Sequence, residues 1–121
     1  MKKLILLSVF SLVTWINLDA QVYAVAASKD VFASQKSSGV ITFQFGADVL
    51  PEIVLTQGEN FTEYFTTVFD AGSYVGTFTM KENVEMNRLM LGRLLIGCGV
   101  EVIEFEGVQL PVYQFSNEQL K

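Results

Sequence analysis

Histidine is absent from this chain, cysteine and tryptophan occur once each, and proline twice among 121 residues. Each absence removes chemistry. Without histidine there is no Ser-His-Asp or Cys-His nucleophile, no imidazole base near neutral pH, and no histidine-containing zinc, copper or iron site. A single cysteine, Cys98, closes no internal disulfide, so the domain depends on packing even in an oxidising compartment. No Gly-rich phosphate loop follows a strand pattern, and no Asp-x-Asp-x-Asp-Gly calcium loop occurs. Basic residues are scarce too: 8 Lys and Arg stand against 13 Asp and Glu, a formal charge of −5. That balance lacks the footprint of a nucleic-acid binder and is repelled by anionic lipid. No cofactor or metal is expected.

What is present begins with a leader. Met1-Lys2-Lys3 is positive, and Leu4 to Ile16 follows without a charge, broken only by Ser8, Ser11 and Thr14. Roughly 13 residues suits a signal-peptide apolar region and falls short of the roughly 20 that span a bilayer. Small-residue exits come next, after Ala20, Ala24 or Ala26. Residues 1–20 are therefore expected to be a signal peptide, cleaved between 20 and 26. The mature protein is then secreted or periplasmic, with no membrane span. Cutting after Ala20 removes Lys2, Lys3 and Asp19, takes the formal charge from −5 to −6, and discards Trp15, the only tryptophan. About 100 residues remain, enough for one hydrophobic core.

The mature chain shows no repeat, linker or low-complexity tract. Residues 21–38 read as a polar lead-in, 39–115 as a single domain, and 116–121 as a frayed tail. Val40 to Phe45 alternates with period two, Ile41, Phe43 and Phe45 on one face, which is a strand pattern. Residues 52–57 resume the alternation through Ile53 and Leu55. In Phe61–Phe69, helical spacing competes with a threonine- and aromatic-rich composition that favours a strand. Asp70-Ala71-Gly72 reads as a hairpin loop with Gly72 left-handed, before a strand over 73–79. Thr79-Met80-Lys81-Glu82 has the residues of a capping box, so a helix is expected from about 80 to 96, ended by Gly97 or Gly99. On that helix Val84, Leu91, Leu94, Leu95 and Cys98 form an apolar side, and Glu85, Arg88 and Gly92 a wet stripe. Strands over 100–106 and 108–115 complete the pattern, the second at a sheet edge because Pro111 lacks an amide hydrogen. The fold expected is α+β: a mostly antiparallel sheet of five or six strands on one long helix.

Candidate functional residues are few. Cys98 lies between glycines, but its nearest charge, Arg93, projects from the opposite side of the helix, so a buried, inert thiol is expected. Glu101, Glu104 and Glu106 are the densest acidic group; strand alternation puts Glu104 and Glu106 on one face, as a carboxylate pair or as a solvated edge. The aromatics fall at strand spacing, as core or as the lining of an apolar cavity. The helix carries more apolar residues than a one-sided helix needs, and the excess is Met86, Leu89, Met90 and Ile96. These four form a possible interface for a protein partner or a second copy. The expected function is therefore non-enzymatic: binding a partner through the helix face and sheet edges. The alternatives are an apolar-ligand domain and an enzyme working through Glu104 and Glu106.

Overall fold

A computed structural model describes residues 21–121; the expected signal peptide, 1–20, lies outside the described residues. The fold is α+β, with four helices, a π-helical turn and a six-stranded mixed sheet. In chain order the elements are β1 (Tyr23–Ala26), α1 (Lys29–Ser38), β2 (Val40–Phe45), α2 (Pro51–Glu59), β3 (Phe65–Asp70), β4 (Val75–Met80), α3 (Glu85–Gly97), β5 (Val102–Phe105), β6 (Val108–Pro111) and α4 (Val112–Phe115), with the turn at Ser116–Leu120. The strand order is β3-β4-β2-β1-β5-β6. β1 pairs in parallel with β5, and every other neighbour pair is antiparallel.

Register puts one residue set on the inner face. Ala24 lies beside Phe45 and Ile103, Ile41 beside Phe78, Phe43 beside Gly76, and Phe65 beside Met80. These residues join Phe32 of α1, Val54 of α2, Leu91, Leu94 and Leu95 of α3, and Phe115 of α4 in one buried cluster. All the helices thus contribute to the same side. Phe115 makes edge contacts with Phe32, Phe43 and Phe105 at centroid separations of 5.4, 5.9 and 5.6 Å, so aromatic rings fill the space between the layers. The outer sheet face carries Val40, Thr42, Gln44, Thr66, Val68 and Thr79 and is largely exposed, as antiparallel sheets allow.

Several sequence expectations are corrected. The 21–38 lead-in contains β1 and α1, and β1 is central, joining β2 to β5. Its small residues Ala24 and Ala26 are what fits beneath the phenylalanines. Residues 52–57 are helical: Pro51 opens α2 at a position where its missing N–H costs nothing, and Val54 and Gly58, one turn apart, form the buried side. The apparent Ile53/Leu55 alternation leaves both side chains partly exposed. Only the second half of 61–69 is strand, since Phe61–Tyr64 form a turn closed by Phe65 N donating to Phe61 O. In the β3–β4 hairpin the left-handed residue is Tyr74, φ 59°, not Gly72; the Asp70 carboxylate accepts from Gly72 N and Ser73 Oγ.

Thr79 pairs with Val40 and Thr66 inside β4, so it caps no helix. Helix α3 starts at Glu85, after Val84, which is exposed rather than on the apolar side. At the other end Gly99, φ 88°, ends it as expected: Gly99 N donates to Ile96 O and Val100 N to Leu95 O, closing a Schellman motif. β6 is an edge strand, as Pro111 implies, but it stops there and the chain turns into α4. The tail is not frayed. Leu120 is buried in the core cluster, and its carbonyl accepts from Arg88 Nε at 2.9 Å. That segment lies over the stripe of α3 expected to be wet: Gly92 is buried against Ser116, and Arg88 is half-buried.

Candidate functional site

The acidic group does not assemble. β5 ends at Phe105, and Glu106 and Gly107 take positive φ, 54° and 77°, the pair of values a type I′ hairpin turn requires. The turn rotates Glu106 away from Glu104, and its Oε2 accepts from Lys29 N at 2.6 Å, the first amide of α1. A carboxylate there satisfies an orphan N–H and complements the helix dipole. Glu101 performs a similar task one strand over, its Oε1 accepting from Val22 N at 3.2 Å. Glu104 alone stays on the outer sheet face, half-buried. Two of the three residues thus latch the β1–α1 segment onto β5–β6, and no carboxylate pair remains. Among the described residues no group of three His, Cys, Asp or Glu is placed to hold a metal ion.

Cys98 is buried at the C-terminal end of α3, and burial pushes its thiol from 9.0 up to about 11. A thiol held that high is protonated at neutral pH, and so is a poor nucleophile.

The four helix residues divide. Met86, Leu89, Arg93 and Ile96 recur at three- and four-residue spacing along the outer side of α3, opposite the Leu91, Leu94, Leu95 and Cys98 side. Met86 and Ile96 are 59 and 57 % exposed, whereas Leu89 and Met90 are half-buried and pack against the core. Sequence reasoning missed the exposed apolar residues of α2, the helix that meets α3 here. Gln57 of α2 lies over Gly97 of α3, where a β-carbon would collide with it. Ile53 sits one turn before Gln57 on the same side of α2, and Leu50 precedes that helix; they are 40 and 55 % exposed. Reading 52–57 as a strand hid this surface.

A second concavity lies beside α1. Lys29, Phe32, Ala33, Lys36 and Ser37 form one wall, and Arg88 and Gln119 face them across a groove of about 410 Å³.

Against protein-family models, curated proteins and solved structures, the chain gives no match. Among the described residues no helix is long and apolar enough to cross a membrane.

Proposed function

We propose that this is an exported, non-enzymatic protein that acts by contact, docking a protein partner or a second copy of itself through the outer surface of α2 and α3. The observation that carries the reading is four exposed apolar side chains on two helices that meet where Gln57 lies over Gly97: Leu50 and Ile53 at the start of α2, and Met86 and Ile96 on α3. Single exposed apolar residues are ordinary, but several on two helices that meet are a surface suited to a partner. Two further facts support it. Of the carboxylate pair that offered the enzymatic alternative, Glu106 serves as a structural latch and Glu104 stands apart on the outer sheet face. Phe32, Phe43, Phe105 and Phe115, candidates for the lining of a ligand cavity, pack ring on ring between the layers.

The interface pair is Met86 and Ile96, extended by Leu50 and Ile53, with Leu89 and Met90 as its half-buried base. Met86→Asp with Ile96→Asp should leave the melting temperature within a few degrees of wild type and abolish association in sedimentation-velocity runs. Association that survives the double substitution would remove this surface from consideration.

Export rests on the sequence of residues 1–16, and the place of β1 in the sheet favours one of the three small-residue exits. Cleavage after Ala24 or Ala26 would delete half or all of β1, which holds ladders on both sides. Only cleavage after Ala20 leaves that strand whole, so the mature protein in the periplasm or medium should begin at Gln21.

A further inference from the structure

We propose that the groove between α1 and the C-terminal turn is an anion-binding site for small molecules bearing a carboxylate or a phosphate. The cations among residues 21–121 are Lys29, Lys36, Lys81, Arg88, Arg93 and Lys121, and half of them line this one groove in a protein whose overall charge is −5. On an acidic molecule a local positive cleft is conspicuous, because the surrounding field steers anions away from everywhere else.

The cations are arranged, not scattered. Lys29 and Lys36 lie two helical turns apart on one side of α1, about 10 Å along its axis, with Ala33 between them. Arg88 faces them from α3 and is held in place. Its Nε donates to Leu120 O at 2.9 Å and its Nη1 to Asn83 Oδ1 at 2.7 Å. Asn83 in turn donates to Lys36 O and Ser37 O at 2.8 and 3.2 Å, tying the far end of α1 to the start of α3. A guanidinium fixed through two N–H groups keeps its remaining donors oriented, the condition for a directional bond to carboxylate or phosphate oxygens. Phe32 and Ala33 supply an apolar floor, and Gln119 and Ser37 neutral hydrogen-bonding groups. Glu106 approaches the Lys29 end, where its carboxylate is engaged by the Lys29 amide. The site is separate from the α2–α3 surface and stands or falls independently of it.

The test is a titration of the ¹⁵N-labelled protein with inorganic phosphate and, separately, with succinate, ionic strength being held constant with sodium chloride. Saturable shifts confined to the amides of residues 29–37, 88 and 119 are expected, and the tighter of the two anions identifies the preferred group. Lys36→Gln, a change at a half-buried position of α1, should weaken binding roughly tenfold with the melting temperature unchanged. Lys81→Gln should leave it as it is. Shifts that grow linearly, that appear equally around Lys81 and Lys121, or that persist in Lys36→Gln would overturn the proposal.

Discussion

Among the described residues two hydroxyl groups are buried without a hydrogen-bond partner, and each faces a helix glycine: Ser116 meets Gly92 on α3, and Thr67 meets Gly58 on α2. The absence of a β-carbon lets a strand or turn side chain approach the helix backbone closely. Gly92→Ala would ordinarily gain about 1 kcal/mol of helix propensity. Here the new methyl collides with Ser116, and overpacking of this kind costs about 1–3 kcal/mol, so urea melts should show net destabilisation. Thr67→Val removes an unpartnered hydroxyl at nearly constant shape and should stabilise by about 1 kcal/mol. Neither notch was legible in the sequence, because a glycine inside a helical pattern does not announce what approaches it. Cys98 was legible, since its spacing from Leu91 and Leu95 put it on the apolar side. Its raised pKa carries a consequence for stability. Between pH 9 and about 11 the unfolded thiol loses its proton while the folded one keeps it, so stability is intact below pH 9 and falls as pH rises. The slope is at most about 1.4 kcal/mol per pH unit. Cys98→Ala should lack that component in otherwise identical alkaline melts, and maleimide should label wild type only after unfolding.

At the scale of elements, the capping-box pattern at Thr79 was overridden by the ladder. Thr79 lies in β4 between Val40 of β2 and Thr66 of β3, and α3 begins only after the chain leaves the sheet. Thr79→Ala should therefore cost about 0.2–1 kcal/mol, as loss of a cross-strand pair with Thr66, and leave helix content unchanged by circular dichroism. Leu95→Ala, fully buried on α3, should cost about 2–5 kcal/mol through the cavity it leaves. A silent Leu95→Ala would contradict the packing of α3 described above. The strands at β2 and β4, the end of α3 at Gly99 and the edge position of β6 were readable because each follows from a local rule: alternation, a left-handed glycine, a proline without a donor. β1 and the C-terminal turn were not. Val22–Ala26 resembles a cleavage region as much as a strand, and a central strand needs only alanine on its inner face when phenylalanines pack above it. In 116–121 a single apolar residue, Leu120, anchors the segment, too little to give a period.

At the scale of the molecule, β1 is the seam between β3-β4-β2 on one side and β5-β6 on the other. Glu101 and Glu106 fasten that seam from the β5–β6 side, which explains acidic residues that resembled a site in the linear sequence. Mass spectrometry of the mature protein should accordingly find Gln21 at its N-terminus. A start at Val25 or Ala27 would mean that the sheet forms with half of this strand or none of it. The claim that the protein works by contact rests on the exposed apolar side chains of α2 and α3. The most direct test is native mass spectrometry of the protein isolated from its own compartment, wild type beside Met86→Asp/Ile96→Asp. Wild type carrying a protein partner or a second copy, with the folded variant alone, is the result expected. Wild type found as a bare monomer indistinguishable from the variant would contradict the account.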